Sequence, residues 1–274
     1  MNAQPRFATS FLGARFRVAF SPRMLGFESN FRPPDGIDYF EWKAVLDSVD
    51  SAGDRYVMVD LGAGYGWWGI NAAAALNRKY PGRPARIILV EAEPQHYQFL
   101  ETAVADNPFP AVRYETLNAA VGAASGRDWF YIGRSTDWYG QRLILDYHRE
   151  HLEAGRQEHV HHEGPRLATS DGYELSQVDV LPVERILETC EHVDLLDMDI
   201  QGTELDVVRS APEMLSAKCR SMFISTHSEE IHAALLDLLA AGWSLVTSHL
   251  PKTTAQTEIG PVEILDGVQY WKRR

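Results

Sequence analysis

The chain has 274 residues, 45% of them hydrophobic, and a net charge of −12. This length suits one large α/β domain or a domain with an arm, and no apolar run approaches the roughly 18–20 residues of a membrane helix. The acidic balance argues against a nucleic-acid partner, which needs a basic face. The two cysteines, Cys190 and Cys219, form no CxxC pair, which argues against a zinc or disulfide scaffold and for a reducing cytoplasm.

The N-terminal stretch has arginines and scattered apolar residues but no compact hydrophobic region before a cleavage site, so no signal peptide is expected. Residues 1–52 read as an arm, with a turn at Phe31–Gly36 and then a helix over Tyr39–Asp50. In that helix Phe40, Val45, Leu46 and Val49 recur near helical spacing. From residue 53 to 274 a single domain is expected, because strands and helices alternate. Strands are predicted at Tyr56–Leu61, Arg86–Glu91, Val112–Leu117, Val193–Asp199, Ser221–Thr226 and Ser244–Ser248. A final strand or hairpin is predicted within Pro261–Trp271. Helices are predicted near Trp67–Tyr80, Gln95–Asp106, Val183–Cys190, Glu204–Met214 and Glu229–Ala241. The alternation, and continuous apolar strands such as "IILV", imply an α/β fold with a mostly parallel sheet covered on both faces.

After a hairpin-like segment at Trp129–Ile132, the region 146–179 breaks the rhythm. It is polar and histidine-rich, and reads as a lid-like excursion over the open end of the sheet, where ligands bind in such folds. His148 and His151 are spaced i, i+3, and His159, His161 and His162 cluster. The segment offers no clear scaffold to fix them, so no metal site is assigned.

The stretch "VDLGAGYG", Val59–Gly66, links the first strand to its helix. Gly66 is followed by Trp67-Trp68 rather than Lys and Ser or Thr, which excludes a P-loop. Trp67 also stands where a dinucleotide fingerprint needs its last glycine. The pattern Asp60-x-Gly62-x-Gly64-x-Gly66 resembles motif I of Rossmann-like methyltransferases that use S-adenosyl-L-methionine. Gly62, Ala63, Gly64 and Gly66 would let an amino-acid moiety lie against the backbone, and Asp60 would receive its ammonium group. Glu91 ends the second apolar strand, where a carboxylate can accept from ribose hydroxyls. Ala92 follows it, and Glu93 competes for the role. After the third strand, Asn118 reads either as an adenine-edge contact or as a plain turn residue, with Ala119 as a flat apolar contact.

Further stretches narrow the resemblance: "VEAEPQHYQFL" (Val90–Leu100), "LNAAVGAASGRDWFYI" (Leu117–Ile132), "VDLLDMDIQGTELDVVRSAPEML" (Val193–Leu215) and "STHSEEIHAALLDLLAAGWSLV" (Ser225–Val246). Over roughly residues 55–250 the chain resembles the FkbM-type methyltransferases. The resemblance implies a Rossmann-like, doubly wound, mostly parallel seven-stranded sheet with helices on both faces. It also implies methyl transfer from S-adenosyl-L-methionine to a hydroxyl, often on a sugar or secondary metabolite. One departure is Gln201, where the family usually has Glu; the amide keeps a hydrogen-bonding shape and loses the charge.

An alcohol acceptor must lose a proton, so a base is expected beside it. Asp199, ending the fourth strand beside the transferable methyl, is the first candidate, and Asp197 lies deeper on the same face. His227 reads either as the group that takes the acceptor proton or as a strand-end residue bonded to Asp199. Glu204 and Gln201 are expected at the acceptor pocket, with Glu204 alternatively a cap-region acid. Trp138 and Tyr139 are expected to line that pocket, whereas Trp67 and Trp68 read as packing or as ligand faces. A divalent ion bridging Asp199 and His227 is an alternative that the lost charge at Gln201 weakens. The expected partner is a small-molecule acceptor, with no nucleic acid and no membrane, and a homo-oligomer is compatible. N-methylation and a non-catalytic scaffold remain the competing functions.

Overall fold

The structure is a computed structural model, which describes residues 5–21, 38–132, 141–144, 146–155, 160–163, 166–170 and 173–274. We number the strands of its main sheet β1 (Tyr56–Leu61), β2 (Ala85–Glu91), β3 (Val112–Asn118), β4 (Leu195–Met198), β5 (Ser221–Thr226), β6 (Trp243–His249) and β7 (Gly267–Arg273). Their order is β6-β7-β5-β4-β1-β2-β3. β1 to β5 run parallel, and β7 lies antiparallel between β5 and β6. The fold is therefore α/β, with a mainly parallel seven-stranded sheet.

The helices are α1 (Tyr39–Asp50), α2 (Trp67–Lys79), α3 (Pro94–Asp106), α4 (Asp146–Glu153), α5 (Val183–Leu187), α6 (Glu204–Ser210), α7 (Pro212–Lys218) and α8 (Glu229–Leu239). Strand side chains alternate between faces, and the two cores follow that parity. Tyr56, Met58, Ile87, Leu89 and Leu195 pack under α1, α2 and α3. Val57, Val59, Ile88, Val90 and Leu196 pack under α5 to α8. Carried to the strand tips, the same parity puts Asp60, Glu91 and Asp197 on the α1–α2 face.

Most predicted elements fall within a residue or two of their expected places, and Tyr39–Asp50 matches. The helix predicted over Glu204–Met214 breaks at Ala211. Pro212 starts a second helix and forces Ala211 out of helical geometry, to φ −133° and ψ 39°. The segment predicted within Pro261–Trp271 splits into β7 and one arm of a separate hairpin, Thr253–Thr257 with Gly260–Ile264.

The polar excursion is largely ordered structure. Besides α4 it contains strands Val160–Glu163, Arg166–Thr169 and Glu174–Pro182. The last pairs with Gly126–Ile132 and Ala120–Gly122, which completes a second, five-stranded sheet. The described part of the N-terminal arm packs against the domain. Phe7–Thr9 and Arg15–Arg17 pair antiparallel, and Arg17 bonds Asp106 at the end of α3. Phe16 is fully buried, with ring centroids 4.7 Å from Trp67 and 5.7 Å from Tyr65. Phe16→Ala should therefore lower unfolding free energy by about 3–5 kcal/mol, read from the shift of a denaturant midpoint.

Candidate active site

The glycine loop is shaped by backbone geometry that side chains disfavour. Gly62, Gly64 and Gly66 have φ of 86°, 57° and 83°, values in the left-handed region. Gly62 meets a second constraint, since a Cβ there would lie 1.8 Å from the Asp199 carbonyl oxygen. The tips of β1 and β4 thus touch through a position with no side chain. The N–H groups of Gly62 and Ala63 both donate to the Val90 carbonyl at 2.9 Å, tying the loop to β2.

Glu91 completes the loop. Its Oε2 accepts from Gly64 N–H at 2.8 Å and its Oε1 from Glu93 N–H at 2.7 Å. Burial raises its carboxyl to about 8, against the downward pull of those two N–H donors. Glu93 has a different job, as its side chain caps α3 by accepting from His96 N–H. Asp60, also buried, accepts from Gly69 N–H at 3.2 Å in the first turn of α2. Burial raises it to about 7, opposed by that hydrogen bond and helped by the charge of Asp199.

These groups line one cavity of about 400 Å³. Asp60, Gly62, Ala63, Gly64, Glu91, Ala92, Ala119, Asp199 and Gln201 all face it. Gly66, Asn118, Glu204 and His227 do not. Gly66 sits at the start of α2, where a Cβ would meet Leu100 at 2.7 Å. The Asn118 amide donates to the carbonyls of Glu91 at 2.9 Å and Ala92 at 3.3 Å, clamping the β2 and β3 tips. Trp67 and Trp68 line the cavity and also pack against Trp42. Trp138 and Tyr139 lie outside the described residues.

For His227 the geometry favours the second reading, a strand-end residue beside Asp199. It lies behind Asp199, its Nε2 3.2 Å from Asp199 Oδ1 and its Nδ1 2.8 Å from Glu204 Oε1. Burial pushes the imidazole down, but the hydrogen bonds and charges of Asp199 and Glu204 outweigh it and raise it to about 10. That shift disfavours a role in taking a proton from an acceptor. Glu204 is fully buried and also accepts from Gly202 N–H at 3.0 Å, so it serves His227 and the turn rather than the cavity. Asp199 keeps a side chain 40% exposed, and the Gln201 amide donates to its Oδ1 at 3.0 Å.

Sequence reasoning missed the wall built by α1. Asp38, Glu41 and Trp42 line the cavity, joined by Asp266 on the approach to β7. A signal was present: Glu41 lies on the stripe of α1 that holds Ala44, Val45 and Ser48, so its carboxylate is buried by helical phase. Of the histidine-rich segment, His151 is buried and His161 half-buried. His159 and the side chains of His148 and His162 lie outside the described residues. Among the described residues, no group of three or more His, Cys, Asp or Glu side chains converges closely enough to hold a metal. No helix among them is long and apolar enough to cross a membrane.

Comparison with known proteins adds a family to this geometry. A putative methyltransferase from Jannaschia sp. (strain CCS1) is 29% identical over 280 residues, covering 99% of this chain and 94% of that protein. The solved methyltransferase FkbM from Methylobacillus flagellatus KT aligns at 17% identity with a TM-score of 0.46, over 80% of this chain and 44% of its own length. Aeropyrum pernix fibrillarin, solved with natively bound S-adenosyl-L-methionine, aligns at 13% identity with a TM-score of 0.40, over 84% of this chain and 74% of that one. The model of the methyltransferase FkbM domain matches residues 60–242. That match spans more than half of the chain, from the tip of β1 to just past α8, and the chain belongs to the FkbM methyltransferase family.

Proposed function

We propose that the protein binds S-adenosyl-L-methionine across the tips of β1 and β2 and methylates a hydroxyl of a small-molecule acceptor. The observation that carries this reading is the pairing of a side-chain-free loop with a buried carboxylate at the next strand tip. Gly62 and Gly64 line the cavity without side chains, which suits the close approach of an amino-acid moiety, and Glu91, fixed by two N–H donors, stands where ribose hydroxyls can donate. Ala92 and Ala119 supply an apolar wall for a base, and the volume lies within the range of small-molecule sites. When bound, the cofactor supplies a methyl carbon activated by a sulfonium leaving group.

The remaining work falls to the residues of the cavity. They hold the acceptor oxygen in line, which supplies much of the barrier reduction, and they remove its proton. Asp199 is the base in this reading, because it faces the cavity and stays part-exposed. His227 and Gln201 position it, one from behind and one from the rim. The acidic lining supports a small acceptor rather than a polyphosphate strand, whose charge it would repel.

Calorimetry with S-adenosylhomocysteine tests the cofactor site. Wild type should bind, Glu91→Ala should lose about 1–3 kcal/mol, and Gly62→Ala should bind too weakly to detect. Equal affinity in all three would place the cofactor elsewhere. For the acceptor side, Asp199→Asn should lower turnover about 10²–10⁴-fold, with a smaller change in S-adenosylhomocysteine affinity. Labelled methyl transfer to fractionated small metabolites reads this out.

His227 also sets a pH dependence. Its folded value, about 10, lies above the unfolded value of about 6.5. Its contribution to stability is therefore fully present below pH ~6.5 and is lost as pH rises through about 10. Denaturant midpoints should fall over that window in wild type, and His227→Gln should flatten the fall.

A further inference from the structure

Two chemically different sets of residues line the cavity and meet where Gly62 abuts Asp199. Gly62, Gly64, Glu91 and Ala119 belong to one, and Asp38, Glu41, Asp197, Asp199 and Asp266 make up the other, acidic end. Among the described residues, neither lysine nor arginine lines the cavity. Two of the acidic groups, Glu41, 8% exposed, and Asp197, 2% exposed, lie within hydrogen-bonding reach of each other, and each has a carboxylate oxygen that no N–H or O–H donor of the protein reaches. These are Glu41 Oε1 and Asp197 Oδ1, and both residues face the cavity.

A smaller recess of about 70 Å³ adjoins this end, bounded in part by Asp38, Glu41, Asp199 and Asp266. It has room for an ammonium head or a couple of waters, not for a sugar ring. Leaving buried carboxylate oxygens unpartnered is costly, and burial followed by neighbouring carboxylates raises both groups well above the usual range. A cation among them reverses the repulsion. An organic ammonium suits the recess in size and in hydrogen-bond donors. An ammonium carries three donors, and two unpartnered acceptors face it beside further carboxylates.

We propose that the acidic end of the cavity, centred on Glu41 and Asp197, binds the ammonium group of an amine-bearing acceptor and thereby selects which hydroxyl is presented to Asp199. The inference rests on the methyl-transfer reading above and names its substrate class. It also explains why oxygen would be methylated. An ammonium held by carboxylates keeps its proton and has no lone pair to attack with, so the nucleophile is a separate hydroxyl at Asp199. Trp42 lines the same cavity and adds an aromatic ring to the wall.

The test uses the full chain saturated with S-adenosylhomocysteine. It is titrated with amino sugars, amino cyclitols and simple amino alcohols, each beside its N-acetylated and its hydroxyl counterpart. The amines should bind, their N-acetyl partners should bind at least about tenfold more weakly, and added salt should weaken the amines. Glu41→Gln should reduce amine affinity roughly 10- to 100-fold and leave S-adenosylhomocysteine affinity at the wild-type value. If no amine binds, the two carboxyls merely share a proton and the proposal fails. It also fails if amines and N-acetyl partners bind alike, or if Glu41→Gln weakens S-adenosylhomocysteine as much as the amines, which would give this end to the cofactor's own ammonium. Should Glu41→Gln not fold, the amine to N-acetyl ratio in wild type decides. Failure of wild type to bind S-adenosylhomocysteine overturns the cofactor reading instead, so the two failures are distinct.

Discussion

The site depends on how closely two strand tips approach. Gly62 at the end of β1 lies directly against the Asp199 carbonyl beyond β4, with no space for a single carbon between them. Asp199 N–H donates to the Leu61 carbonyl at 2.9 Å, so the pairing of β1 and β4 continues past the last residue of regular strand. This contact brings Asp199 to the same cavity as Glu91, although the two come from opposite halves of the sequence. It also puts Asp197 beside Asp60 in register. Strand parity then turns both carboxyls toward α1 and α2, whose helices close that side.

The second governing fact is electrostatic. Asp60 and Glu91 have carboxyls that burial raises to about 7 and about 8. Desolvation has made ionisation costly at these positions, so they are close to neutral until something cationic or donor-rich arrives. His227 is the complementary case, a buried base kept charged by the two acids that flank it. The site thus places a charged imidazole, His227, behind the cavity wall and its suppressed anions on the wall. A ligand carrying positive charge meets groups that ionise in response to it.

What was legible in the sequence is what a single strand–loop–helix unit dictates. Asp60, the glycines and Glu91 follow from local order: an apolar run, a turn that needs left-handed backbone, a helix, and a second apolar run ending in an acid. Residues whose role depends on distant neighbours were read less well. Asn118 looked free to meet a ligand, yet its amide is taken up by the carbonyls of Glu91 and Ala92. His227 looked like a base because its unperturbed imidazole titrates near neutrality, and the approach of Asp199 and Glu204 changes that. Helical phase marks Glu41 as buried, but which strand tip it meets depends on how α1 packs on the sheet. The second sheet was illegible for a similar reason. Its longest strand, Glu174–Pro182, is stabilised by pairing with Gly126–Ile132 and Ala120–Gly122, far upstream of it.

The placement of β7 sets an order on assembly. β6 has only β7 as a sheet neighbour, and β7 fills the gap beside β5. A nascent chain that has emerged through β6 therefore holds a buried-type strand, "SMFIST", with one edge still open, a template for wrong partners. The half of the cleft at the tips of β1 to β3 draws on early strands and can take shape first. The Asp266 wall arrives only with the approach to β7. During synthesis on the ribosome, closing the sheet and finishing the recess become the same late event.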